Sequence, residues 1–177
     1  MTALDVPVLE QPTGYECGNT SLAAVLQFFG KQVTVAEAGA LAKTTEDGTD
    51  HGNLVAAARA SGARVTARAN GTITELAGFV ARGVPPIVGW WSMEDGDRDW
   101  DRRWSAVRRK RKDCGHYSVV MAVTADHVVM MDPQEGEDGA ACGARRFTHE
   151  AFARVWYDTD TARYRHVVRW FLAMSYD

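Results

Sequence analysis

The chain has 177 residues, a length suited to one domain, with 46% hydrophobic residues and a net charge of −3. That balance argues against a disordered chain and supplies no overall positive field for nucleic acid. Met1 to Pro7 lacks the basic and apolar regions of a signal peptide, and no apolar run approaches membrane-spanning length. The three cysteines, Cys17, Cys114 and Cys142, are odd in number and widely spaced, which does not suggest a disulfide framework, so a cytoplasmic protein is expected.

Taken in chain order, the first half reads mainly as helices. Gly18 to Phe29 places Leu22, Val25, Leu26 and Phe29 at helical spacing, and Gly30 stops it. Thr34 is expected to cap Val35 to Lys43, with Glu37 completing a capping box. Asp50 caps a third helix over His51 to Ala60, ended by Ser61-Gly62. Ala63 to Ala69 alternates small or apolar residues with Arg64, Thr66 and Arg68 and reads as a short strand. Thr72 and Glu75 form a second capping box for a helix running to Arg82-Gly83.

The second half reads mainly as strands. Pro86 to Trp91 is a buried strand. His116 to Thr124 and His127 to Met131 form a hairpin about Ala125-Asp126. Thr148 to Trp156 is helical, and His166 to Met174 is a final strand. Helices followed by a mostly antiparallel sheet predict an α+β domain over residues 1–177. Ser92 to Asp113 breaks this order as a long charged insertion bearing Trp100 and Trp104.

Three places carry chemistry. Cys17 lies where the irregular loop Gln11 to Glu16 enters a helix. There, free N–H groups and the helix dipole favour the nucleophilic thiolate. Gly18 is expected to let a substrate backbone approach. The ordinary alternative for Cys17 is a small buried apolar residue. His116 opens an apolar strand, so rigid backbone fixes its ring at the sheet edge, as a general base requires; a lone histidine is otherwise a packing residue. Asp132 ends the next strand, before Pro133, and the hairpin brings it beside His116, where a carboxylate orients and stabilises the imidazolium. An Asp-Pro turn is its ordinary reading.

Gln11 ahead of Tyr15-Glu16-Cys17-Gly18, then Gly115-His116-Tyr117 and Asp132-Pro133, resembles the bacteriocin-processing (double-glycine leader) peptidase family. The resemblance takes in Gly48-Thr49, Leu54 to Gly62 and Pro85-Pro86-Ile87-Val88, and covers roughly residues 6–157. It implies a papain-like cysteine peptidase fold, with the nucleophile on a helix and His and Asp on an antiparallel sheet. It implies Cys17 as nucleophile, His116 as base and acid, Asp132 as its orienter, and Gln11 as an oxyanion donor beside the Cys17 N–H. That family is best known fused to a membrane-spanning transporter, and no stretch of this chain reads as such a segment.

The expected activity is therefore peptide-bond hydrolysis through a thioester on Cys17, of a leader or precursor peptide. A non-catalytic peptide-binding module, and an acyltransferase or transpeptidase using the same residues, are the alternatives. The expected partner is a peptide or protein substrate, with no nucleic acid and no cofactor. Arg108 to Lys112 could read an acidic peptide or simply line a solvated helix. A zinc site from Cys114, His116 and Cys142 lacks a usual tetrahedral spacing, so no metal is expected. Gly136 to Gly143 reads as a flexible loop, and His51, His127, His149 and His166 as packing or surface residues.

Overall fold

A computed structural model describes residues 3–92, 115–134, 143–160 and 165–176. The helices are α1 (Cys17–Phe28), α2 (Val35–Ala42), α3 (His51–Ala60), α4 (Ile73–Ala81) and α5 (His149–Val155). The strands are β1 (Arg64–Arg68), β2 (Ile87–Trp91), β3 (Gly115–Val123), β4 (His127–Asp132), β5 (Gly143–Thr148), β6 (Tyr157–Asp160), β7 (Arg165–Val168) and β8 (Phe171–Ser175).

Local chemistry sets where the helices begin. Thr34, Asp50, Thr72 and Thr148 each accept a hydrogen bond from the N–H three residues on, and Glu37 and Glu75 close the two expected capping boxes. These side chains satisfy donors that the first helical turn leaves unpaired. Helix α1 differs, because no side chain caps it. Gly30, at φ 77°, ends its chain path as only a glycine does without strain.

Six strands form one antiparallel sheet in the order β1-β8-β2-β3-β4-β5. Strands β6 and β7 pair separately. The C-terminal β8 lies between β1 and β2, so the last strand joins the helical half to the rest of the sheet. On one side, Ile87, Val119, Met131 and Leu172 pack with Leu22, Val25 and Leu26 of α1. On the other, Val88, Val120, Met130 and Phe171 pack with Leu76 and Val80 of α4 and Phe152 of α5. With both faces covered, β2 and β3 read as nearly unbroken apolar runs.

Two expectations are corrected. His166 to Met174 is not one strand: Arg169 adopts φ 53° and turns the chain between β7 and β8. Its N–H donates to the Trp156 carbonyl at 2.9 Å, and the Trp156 indole donates to the Trp170 carbonyl at 3.0 Å. Gly143 is not loop but the start of β5. The charged segment expected over 92–113 lies, Ser92 apart, outside the described residues, as do Cys114, Cys142 and 136–142. No helix among the described residues is long and apolar enough to cross a membrane.

Leu172 is fully buried opposite both Ala67 of β1 and Ile87 of β2. Leu172→Ala is expected to destabilise the protein by about 2–5 kcal/mol, read from urea unfolding. A loss well under 1 kcal/mol would show that β8 does not hold the two halves together.

Candidate active site

The loop before α1 is wired to itself. The Thr13 carbonyl accepts from the Gln11 side-chain amide at 2.8 Å and from the Glu16 N–H at 3.4 Å. The Thr13 hydroxyl donates to the Glu16 carboxylate at 2.9 Å. The Gln11 N–H donates to the Pro133 carbonyl at 2.9 Å, which ties this loop to the end of β4. Cys17, buried at 7% exposure, is the first residue of α1. The first intrahelical bond runs from the Thr20 N–H to the Glu16 carbonyl at 3.0 Å. The N–H groups of Cys17 and Gly18 precede that bond, and no side chain caps them.

Helix α1 is docked along β3. The Ser21 hydroxyl, one turn after Cys17, donates to the Tyr117 carbonyl at 3.2 Å, next to His116. This sets the start of the helix beside the start of the strand.

The β3–β4 hairpin is not a simple ladder. Val123 pairs with Val128 and Ala122 with Val129, but Val120 then pairs with Met130 and Val119 with Met131. A bulge at Met121 shifts the register by one residue. Continued without it, the ladder would set Asp132 opposite Val119, on the face away from His116. With it, Asp132 falls opposite Ser118, and alternate residues share a face, so His116 and Asp132 point the same way. The Met121 carbonyl, displaced from the ladder, accepts from the Leu4 N–H at 2.9 Å. His116 Nε2 then meets Asp132 Oδ1 at 2.6 Å, with both side chains buried. Nδ1 is the ring nitrogen left for Cys17.

Burial opposes charge on His116. The negative charge of a Cys17 thiolate, with hydrogen bonding to Asp132 and to Cys17, outweighs burial and raises its pKa to about 10. Burial likewise pushes the Asp132 carboxyl up, but His116, Arg145 and the Gln134 N–H outweigh it and hold it below the ordinary carboxylate value. The groups therefore form a buried row, Cys17–His116–Asp132, in which the imidazolium and the carboxylate favour each other.

The structure brings Cys17, His116 and Asp132 together and ties the Gln11 backbone to the residue after Asp132. The Gln11 amide spends one N–H on Thr13 and has a second to donate, while its Oε1 is buried without a partner. Gly18 is corrected: it is buried and faces inward. A Cβ there would lie 2.9 Å from Thr49 Cβ and 3.1 Å from Tyr117 Cδ2, so glycine makes room for the protein's own packing, not for substrate.

Sequence reasoning missed two neighbours. Trp90 stands edge-on to the His116 ring, centroids 5.4 Å apart, with its indole N–H bound to Ser118 Oγ at 3.0 Å. Arg145 Nε lies 2.8 Å from Asp132 Oδ2. Only the strand periodicity of β2 could have flagged Trp90, and nothing in the sequence flags Arg145. A second buried pair, His51 Nε2 and Asp158 Oδ2 at 3.3 Å, packs under Trp170, whose ring stacks on His51 at 4.1 Å. No cluster fit to hold a metal occurs among the described residues.

A cysteine heading a helix against histidine and aspartate on an antiparallel sheet is the architecture of the papain-like cysteine peptidases. The chain belongs to the Peptidase_C39 like family, whose model matches residues 3–163, and it is a cysteine peptidase. It is similar to an uncharacterized protein of Methanothermobacter thermautotrophicus, 31% identical over 152 residues that cover 86% of this chain and 84% of that one. A counterpart in Methanothermobacter marburgensis is 29% identical over the same shares. Two solved structures share the fold. One is a double glycine motif protease from an AMS/PCAT transporter in complex with the leader peptide. Its TM-score is 0.65 at 20% identity, over 97% of this chain and 92% of that one. The other is the peptidase domain of Streptococcus ComA, a bi-functional ABC transporter. Its TM-score is 0.62 at 22% identity, over 94% of each chain.

Helix propensity alone favours Gly18→Ala by about 0.8–1 kcal/mol. The overlap with Thr49 and Tyr117 is expected to reverse that sign, lowering the unfolding midpoint and slowing alkylation of Cys17 as the head of α1 is pushed off β3. A Gly18→Ala protein as stable and as reactive as wild type would contradict the inward packing.

Proposed function

We propose that the chain hydrolyses peptide bonds by covalent catalysis on Cys17. The observation that carries this reading is His116, buried between Cys17 and Asp132 and held charged by both. The Cys17 thiolate attacks the scissile carbonyl carbon. The uncapped Cys17 N–H and the second Gln11 amide N–H donate to the resulting oxyanion. As the tetrahedral intermediate collapses, the C–N bond breaks and His116 passes the Nδ1 proton to the leaving amine, leaving a thioester on Cys17. Neutral His116 then takes a proton from water as that water attacks the thioester. The acid departs, and thiolate and imidazolium are restored. Throughout, His116 Nε2–H donates to Asp132, which keeps the ring in one tautomer and orientation.

The substrate class is a peptide carrying a double-glycine motif, as in a leader or precursor. The support is family membership together with the fold shared with a double glycine motif protease. The location proposed is the cytoplasm.

The test is cleavage of a synthetic double-glycine peptide, followed by mass spectrometry. Cys17→Ala is expected to abolish product. Gln11→Ala is expected to lower kcat by about 10²–10³ with KM little changed. The imidazolium is the proton donor, so activity should persist below its pKa and fall as pH rises through about 10. Asp132→Asn removes a group that raises this pKa and should move the limb to lower pH. Cleavage undiminished in Cys17→Ala, or an alkaline limb at the ordinary histidine value of about 6.5, would refute the mechanism.

A further inference from the structure

We infer that Arg145 is a positioning residue for this site, fixing the carboxylate of Asp132 and through it the ring of His116. The inference rests on the reading of Cys17, His116 and Asp132 as the peptidase machinery.

The placement follows from strand register. In the β4–β5 ladder Met130 pairs with Arg145 and Asp132 with Gly143. Paired residues share a face, as do residues two apart, so Arg145 shares a face with Asp132 and reaches it diagonally. Gly143, directly opposite Asp132, offers no side chain to compete. Arg146 takes the outward face, where its Nη2 lies 3.1 Å from His127 Nδ1.

The two oxygens of Asp132 are divided. Oδ1 accepts from His116 Nε2 at 2.6 Å and from the Gln134 N–H at 3.0 Å. Oδ2 faces Arg145 Nε at 2.8 Å. Among the described residues, the charged groups facing Asp132 are His116 from β3 and Arg145 from β5; the Gln11 loop contributes a backbone bond to Pro133. Asp132 is 2% exposed, so an oxygen without a cation or donor there would favour protonation or rotation of the carboxylate. Either change would release the His116 ring. Arg145 also sits over Trp90, 5.6 Å from the ring centroid, and Trp90 packs against His116 with ring centroids 5.4 Å apart. One side chain thus touches both Asp132 and Trp90, two of the groups packed against the imidazole.

The test combines two readouts on the full chain. NMR titration of the 13C-labelled Asp132 carboxyl gives its midpoint, and turnover of the double-glycine peptide gives kcat and KM. Arg145→Gln is expected to raise the Asp132 midpoint by about half to one pH unit, a modest shift because the arginine is one-third exposed. It should lower kcat about fivefold with KM unchanged. In an Asp132→Asn background the same substitution should cost nothing further, because its target is gone. Arg145→Met keeps an unbranched stem over Trp90 and should behave like Arg145→Gln, which separates charge from packing should the glutamine variant fold poorly. Arg145→Lys should recover part of the loss. Arg146→Gln, an equal change of charge on the outward face, should move neither readout.

An unmoved Asp132 midpoint, or an equal loss of kcat in the Asp132→Asn background, overturns the role of Arg145 while leaving the peptidase reading intact. Wild-type protein that turns over no peptide, with an Asp132 midpoint that still shifts, overturns the peptidase reading and reduces Arg145 to an ion-pair partner.

Discussion

Charge buried between α1, β3 and β4 is the constraint on which the site depends. In the row Cys17–His116–Asp132, an imidazolium and a carboxylate taken out of water are each costly alone, and they are tolerable only where each is matched by a neighbour at hydrogen-bonding range. The 2.6 Å contact between His116 Nε2 and Asp132 Oδ1 is the centre of that row. It holds one ring nitrogen, which leaves the other for Cys17, and it sustains the positive charge on the ring. Breaking it would leave buried groups unmatched on both sides.

The fold serves this row through small local departures from regularity. Among the described residues four helices start on a side-chain cap; α1 does not, so its leading N–H groups stay available at Cys17. Gly18 lets α1 close onto Thr49 and Tyr117. The bulge at Met121 rotates the phase of β3 by one residue and puts His116 on the same face as Asp132. Each departure costs some local regularity, and each sits within a few residues of Cys17, His116 or Asp132.

Much of this was legible in the sequence because the signals are local. The capping boxes at Thr34 and Thr72 need only two residues at the right spacing, and α1 is announced by its apolar stripe. The hairpin was legible from two apolar runs about a short turn, which suggested that His116 and Asp132 are near one another. The reason they meet was not legible. A straight ladder from that turn would set them on opposite faces, and no residue type marks the bulge. Strand β5 escaped notice because Gly143-Ala144-Arg145-Arg146-Phe147-Thr148 carries a single large apolar residue, and Arg145 escaped with it. The break at Arg169 lies between the apolar stretches Val167-Val168 and Trp170 to Met174, where a positive φ at a non-glycine residue gives no compositional sign. A glycine beside Cys17 is equally consistent with substrate approach and with inward packing, and only tertiary contacts distinguish the two.

A charged His116 in the resting protein is the central requirement of the site, and 15N NMR of the histidine rings at pH 8 reads that state directly. With the His116 pKa at about 10, both ring nitrogens should carry protons in wild type. In Cys17→Ala the thiolate charge that raises this pKa is gone, so the ring should titrate at lower pH. A wild-type His116 that is neutral at pH 8, with one bare ring nitrogen and the same titration in Cys17→Ala, would contradict the account.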